Sequence, residues 1–233
     1  MKRIVLLALA LCSLCPVIGA ASFEPKDTWP YVYEDFVPGS VLTSEGKLIE
    51  DGKYNICLLD GSLHYISEDD RVMKADLKTV HTARLGDDVY RKVWGKMYRL
   101  LGENGHGEVL CDTEIDREAL DKVNVGYGVS VSSASRHGLS VTALDAGGNV
   151  DILNERLKTA EDNKNKGRVL PLIKTTYLYF RNNLVKAGRS DVLDLPGIDK
   201  KAAADFIKRE KIRWSKTESL LRLMEFIDRE YPA

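Results

Sequence analysis

From Pro38 to about Ile115, apolar and polar positions alternate in short bursts, which is the period of strands rather than of helices. Residues 39–43, 47–50, 53–59 and 62–67 are each brief and rich in apolar or β-branched side chains. Glu45-Gly46, Asp51-Gly52 and Asp60-Gly61 separate them. An Asp-Gly pair suits a two-residue hairpin turn, because both central positions take positive φ, which Asp tolerates and Gly favours. Tyr54, Ile56 and Leu58 fall on one face of their strand, and Asn55, Cys57 and Leu59 on the other. Residues 78–84, 89–93, 96–101 and 108–113 read as further strands, with turns at Gly86-Asp87, Gly95 and Asn104-Gly105. Hairpin after hairpin predicts an antiparallel β meander, closing as a small sandwich or open barrel.

The alternation fades from about residue 117 to 167. Residues 124–148 are dense in Gly, Ser, Ala and Val and carry almost no charge apart from Arg136 and Asp145, which predicts a flexible surface segment. Gly126-Tyr127-Gly128-Val129-Ser130 lacks the third glycine and the lysine of a phosphate-cradling loop. Leu153, Leu157 and Ala160 stand at helical spacing, and residues 163–168 read as an exposed linker. Order returns at Val169, where residues 172–180 and 184–187 flank a hairpin turn at Asn182-Asn183. Ser190 then caps a helix ending near Leu195, and Asp199 caps one running to about Glu210. Ser215 and Glu218 form a capping box for a last helix, striped by Leu220, Met224, Ile227 and Tyr231. The expected class is α+β, divided into a leader (1–21), a β domain (22–116), a connector (117–168) and an α+β unit (169–233).

The leader adds a compartment. Lys2 and Arg3 precede an apolar run over residues 4–14, and small residues follow up to Ala20 and Ala21. That order is a secretory signal peptide. The run is shorter than the about 20 residues a membrane helix needs, and no stop-transfer segment follows it. Leu11 before Cys12 and Leu14 before Cys15 are too large for lipid attachment. An exported chain starting near Ser22 is expected: periplasmic, on the cell surface, or secreted.

Lys and Arg number 34, two of them in the leader, so 32 face 35 Asp and Glu in the mature chain. This near-neutral surface argues against general binding to nucleic acid or to an anionic membrane. Beyond the leader the cysteines are Cys57 and Cys111. An oxidising compartment permits a disulfide between them. Two buried thiols that never meet are the alternative.

Val192, Leu193, Leu195-Pro196-Gly197-Ile198, Ala203, Phe206 and Ile207 together resemble the helix–hairpin–helix motif of DNA-binding proteins, over residues 192–207. The resemblance implies that backbone N–H groups after the hairpin hold a DNA phosphate, with Gly197, Ile198, Lys200 and Lys201 at the contact. Asp199 stands where that family has its second glycine, and a carboxylate there repels a phosphate. Residues 190–233 balance nine basic against nine acidic side chains, so a nucleic-acid partner is disfavoured. More diffusely, residues 39–65 and 191–200 resemble the β module and helical end of uncharacterised exported bacterial proteins.

Catalytic signatures are lacking. His64, His81, His106 and His137 are scattered, without zinc spacing, and no nucleophile elbow is present. Cys57 and His64 flank the same hairpin, the one arrangement that invites a thiol nucleophile. Glu68-Asp69-Asp70 lacks the alternation of a calcium loop. Trp29, Tyr31, Tyr33 and Phe36 read either as an anchor of the terminal arm or as an aromatic strip that stacks on sugars. The expectation is an exported, non-catalytic binding or envelope-associated protein with no cofactor and no metal. Its partner would be an extracytoplasmic protein or polymer. A DNA-binding protein and a hydrolase with an unfamiliar site are the alternatives.

Overall fold

Gly46, Gly61 and Gly86 take φ of 80°, 68° and 57°, the left-handed geometry their turns require, and each reverses the chain between two antiparallel strands. A computed structural model describes residues 30–122 and 170–230. Its strands are β1 (Val37–Thr43), β2 (Leu48–Ile56), β3 (Leu63–Ile66), β4 (Val72–Lys74), β5 (Val80–Leu85), β6 (Asp88–Val93), β7 (Lys96–Asn104), β8 (Gly107–Ile115), β9 (Leu172–Phe180) and β10 (Asn183–Lys186). Among the described residues these ten form one sheet in the order β10-β9-β8-β7-β6-β5-β1-β2-β3-β4. The helices are α1 (Arg117–Lys122), α2 (Arg189–Leu193), α3 (Lys200–Arg209) and α4 (Thr217–Glu230). The α+β class with a β meander is what the chain adopts.

The sheet consists of two meanders joined where β5 returns to pair with β1, from Gly39↔Leu85 to Thr43↔Val80. Val41, Tyr54, Ile56, Leu63, Ala83, Leu85, Tyr90 and Met97 share one core, which joins β1–β3 to β5–β7. The Met97 N–H donates to the Gly61 carbonyl at 2.9 Å, tying the β2–β3 turn to the start of β7. A second core lies where the helices cover one face of β8 and β9. Val109, Leu178 and Phe180 meet Val192, Phe206, Leu220, Leu223 and Ile227 there. Phe206 of α3 and Phe226 of α4 stack at 4.0 Å. A third cluster brings together Val93 of β6, Tyr98 of β7 and Leu110 of β8, with Leu100, Tyr177 and Tyr179 against them.

Several elements depart from the sequence reading. Asp51-Gly52 is not a turn: β2 runs straight through it, and a bulge opposite Gly39–Val41 absorbs the extra residue. Asp51 takes φ 61° at that bulge. Gly39 is required opposite, because a Cβ there would lie 2.1 Å from the Arg84 carbonyl oxygen. The β9–β10 turn falls on Arg181 and Asn182 (φ 47° and 62°) rather than on Asn182-Asn183. Asp199 caps α3 as expected, accepting from the N–H of Lys201 and Ala202 at 2.9 and 3.1 Å. Gly188, not Ser190, precedes α2, without a side-chain cap.

The expected capping box does not form. Helix α4 begins at Thr217, after Ser215, and Ser219 Oγ instead accepts the Arg213 N–H at 2.9 Å. Leu220, Met224 and Ile227 are buried as the stripe requires, whereas Tyr231 lies outside the described residues. So do the leader and most of the connector. The carboxy-terminal hairpin is not a sheet of its own, because β9 pairs with β8 along its length, from Glu108↔Tyr179 to Ile115↔Leu172.

Candidate functional site

The β2–β3 turn gathers a chain of polar side chains. Ser62 Oγ donates to Asp60 Oδ1 at 2.6 Å. Because its proton is committed there, the 2.9 Å contact between Ser62 Oγ and His64 Nε2 has the imidazole as donor. Nδ1 of His64 therefore accepts from the Tyr31 hydroxyl at 2.8 Å. Lys74 closes the far end, 2.7 Å from Asp60 Oδ2. A serine nucleophile needs its proton on the histidine, and here it points the other way. Ser62 is also only 2% exposed. The chain instead ties the terminal arm to the sheet: Tyr31 meets Phe36 and His64 edge-on at 5.1 and 5.4 Å. Tyr31, Tyr33 and Phe36 thus anchor the arm; Trp29 lies outside the described residues.

Burial pushes Asp60 up, but the bonds from Lys74 and Ser62 outweigh it and hold the carboxyl at about 2. Burial pulls His64 below 6.5, with the Asp60 charge opposing, so it is neutral in the folded protein. Unfolded His64 takes a proton as pH falls through about 6.5, whereas folded His64 resists. Stability is accordingly expected to fall between pH 7 and 5, by at most about 1.4 kcal/mol per unit from this group. Urea midpoints against pH check it: the slope flattens in His64→Gln, and an unchanged slope would refute the assignment.

Two further clusters lie in the sheet. Tyr33 donates to Asp88 Oδ2 at 2.6 Å and stands 3.0 Å from the Tyr90 hydroxyl, and Arg99 reaches Asp88 Oδ1 at 3.3 Å. Burial and then the Asp88 bond push Tyr33 far above the ordinary tyrosine value, and burial pushes Tyr90 up to about 12. Both are neutral donors that brace the arm against β6 and β7. On the opposite face, Lys96 bonds Asp112 at 2.5 Å and Glu114 at 2.6 Å, over the ring of Tyr98, which has Tyr177 as its edge-on neighbour. Burial raises Asp112 against the pull of Lys96. Lys96 rises too, because its two carboxylates outweigh its own burial.

Cys57 and Cys111 are free, buried thiols rather than a disulfide. Burial raises Cys57, the wrong direction for a nucleophile, and no hydrogen bond joins it to His64. Cys57 follows β2 and pairs with Tyr31 of the arm in an isolated bridge, whereas Cys111 sits mid-strand in β8, so each is held by its own backbone pairing. Among the described residues no group of three or more His, Cys, Asp and Glu is arranged to hold a metal ion. No described helix is long and apolar enough to cross a membrane.

At the helix–hairpin–helix-like turn, Gly197 takes φ 81° as that turn requires. The amides of Lys201 and Ala202, where the motif would hold a phosphate, are taken by the Asp199 carboxylate. Lys200 pairs with Asp194 at 2.8 Å, and Ile198 packs on the helical core.

One cleft combines exposed chemistry with a shaped floor. It measures about 550 Å³ and is lined by Arg91, Val93, Trp94, Glu108, Tyr179 and Asn182 among others. Trp94 sits at the tip of the β6–β7 hairpin, 69% exposed, with φ 54°. A bulky side chain in that conformation costs on the order of 1–2 kcal/mol, and its exposure recovers no burial. Arg91 is fixed below it, donating through Nε to Glu108 Oε2 at 3.1 Å and through NH1 to Thr82 Oγ1 at 2.9 Å. Tyr179 donates to Asn182 Oδ1 at 3.3 Å. Apart from Asn182, read as a turn residue, none of these stood out in the sequence, and none as a binding residue; the signal available was the Trp-Gly pair at a turn, where smaller residues are usual. A second cleft of about 440 Å³, at the end of β8, is bounded by Leu58, Leu59, Glu114, Asp116, Arg117 and Ile173 among others.

Among the described residues the fold is α+β, a ten-stranded antiparallel sheet with helices α2 to α4 packed on one face of β8 and β9. No family model matches the chain, and neither a curated protein nor a solved structure matches it significantly.

Proposed function

We propose that this is an exported, non-catalytic binding module whose extracytoplasmic partner seats in the cleft beside Trp94. The sheet, curled as an open barrel, serves as the scaffold. The observation that carries the reading is Trp94 itself: a large aromatic held in a costly conformation and turned to solvent, above polar groups fixed by their own hydrogen bonds. The two-residue turn between Val93 and Lys96 itself demands positive φ at position 94, so what supports a binding role is the residue chosen for it, a large exposed aromatic where Gly or Asn would sit without strain. The reversed polarity of the Asp60–Ser62–His64 chain and the raised Cys57 thiol weigh against hydrolysis. The occupied amides at Asp199 weigh against a DNA contact. Export rests on the leader, residues 1–21.

Cell fractionation combined with photo-crosslinking tests both halves. A photoreactive residue at position 94 is expected to form a specific adduct, and one at exposed Glu225 on α4 none. The recovered protein is expected in the extracytoplasmic fraction without its leader. Retention of the full-length chain in the cytoplasm, or identical adducts from both positions, would overturn the reading.

A further inference from the structure

We propose that the cleft beside Trp94 is a saccharide site, taking a neutral glycan whose pyranose ring lies on the Trp94 indole. The inference rests on the reading of this cleft as the binding site and adds the chemistry of its ligand. A sugar presents an apolar C–H face and a rim of hydroxyls that each donate and accept. It is matched by an exposed aromatic surface beside planar groups offering donors and acceptors together. Trp94 supplies the first, 69% exposed at the hairpin tip. Glu108 supplies carboxylate acceptors, held on Arg91 by contacts of 2.9 and 3.1 Å. Asn182 spends its Oδ1 on Tyr179, which leaves its amide nitrogen to donate. All three line the same cleft, whose 550 Å³ lies within the about 300–1,000 Å³ typical of small-ligand sites.

Lys92 and His81 also line the cleft, but the pairing of Arg91 at its floor favours a neutral ligand over an anionic one. Arg91 faces Glu108 at 2.9 Å and Glu103 at 3.4 Å, so its guanidinium is already met by two carboxylates. A phosphate or sulfate would have to displace them. A hydroxyl instead bonds the spare lone pairs of Glu108 and leaves the ion pair intact. The same pairing gives the ligand a rigid surface, because Thr82 fixes the third side of the guanidinium.

Binding of the mature protein to an array of neutral glycans, followed by calorimetric titration of the best oligosaccharide, tests this. At least one neutral glycan is expected to bind, with affinity reduced at least tenfold in Trp94→Gly and largely kept in Trp94→Tyr. Gly takes φ 54° without strain, so Trp94→Gly is expected to melt no lower than the parent, and lost binding then reports a lost contact. Glu108→Gln is expected to weaken binding several-fold. Absence of binding to every neutral glycan, or binding unaffected by Trp94→Gly, would overturn the proposal. Binding through Trp94 to polyphosphate or to phosphatidylglycerol vesicles in place of glycans would also overturn it. A crosslinked protein partner at position 94 without glycan binding would sink the saccharide and keep the site, whereas failure of both experiments removes the site as well.

Discussion

Replacing Lys96 by Met is expected to cost about 3–5 kcal/mol at neutral pH, because it strands a buried carboxylate. The Asp112 side chain is only 7% exposed and has Lys96 at 2.5 Å; Glu114, at 57%, keeps water when the lysine goes. Met preserves the apolar stem that packs on Gly61, where a Cβ would stand 2.3 Å from the Lys96 Cγ, so the loss isolates the charge rather than the packing. Asp112 already lies above the ordinary carboxylate value because burial outweighs its partner. Without that partner it rises further, and its protonation in acid relieves the penalty, so the deficit of the variant shrinks as pH falls. The second substitution is the sharper measurement. Lys96→Met with Asp112→Leu removes both charges and is expected to recover most of the loss. Chemical denaturation of the parent, single and double variants reads all three. A single variant within 0.5 kcal/mol of the parent, the usual reach of a neutral surface change, would show that Asp112 is not desolvated as its burial implies.

Turn chemistry made most of this sheet legible from the residues alone. Gly46, Gly61, Gly86 and Gly95 sit where the chain reverses, and strands β5 to β9 fall close to the segments their alternation marks. Local signals failed where a distant residue decides. Asp51-Gly52 carries the dipeptide of a hairpin turn, yet pairing with β1 continues on both sides of it, and a bulge between Gly39 and Val41 takes up the extra residue. The same holds for Ser215 and Glu218, whose capping spacing is right but whose helix starts two residues later, once Ser219 has been drawn to the Arg213 amide. Strand β4 is three residues long, too short for any period to register. Asp199, by contrast, caps α3 through contacts two and three residues away, and a signal that local is readable without a structure.

The candidate site was less legible for the same reason. Arg91, Glu108, Tyr179 and Asn182 come from three hairpins and meet only once β8 has paired with β9. The Ser62–His64 chain was half visible, since alternation places Ser62, just before β3, and His64 on one face, but its far end is Tyr31, more than thirty residues earlier. Aromatic residues show the limit most plainly. Tyr31, Tyr33 and Phe36 cluster in sequence and turn inward to anchor the arm. Trp94, isolated in sequence, is the one that faces solvent. Composition cannot separate these cases, because the φ of a single turn residue decides between them.

Leu178→Ala is expected to destabilise the whole molecule by about 2–5 kcal/mol in one cooperative transition. Leu178 is fully buried on β9 and pairs in register with Val109 of β8. In the same core it meets the helical residues around Phe206 and Leu223. The cavity it leaves therefore lies between the sheet and the helices rather than inside either. A boundary in the connector, as the composition of residues 117–168 suggests, would make the carboxy-terminal unit melt first and leave β1–β8 standing. The register from Glu108 to Ile115 argues otherwise: removing β9 exposes the hydrogen-bonding edge of β8, and removing α4 exposes Val109. Trp214 packs against the helical core, so with Trp29 and Trp94 replaced by Phe in parent and variant alike its fluorescence follows the helices, while far-ultraviolet circular dichroism is read in the same titration for the sheet and helices together. Coincident midpoints, both shifted by the substitution, are the expected result. If Trp214 unfolds early while the sheet signal keeps the midpoint of the parent, the two sides of the connector are separate folding units, and the pairing of β8 with β9 carries less of the stability than its length implies.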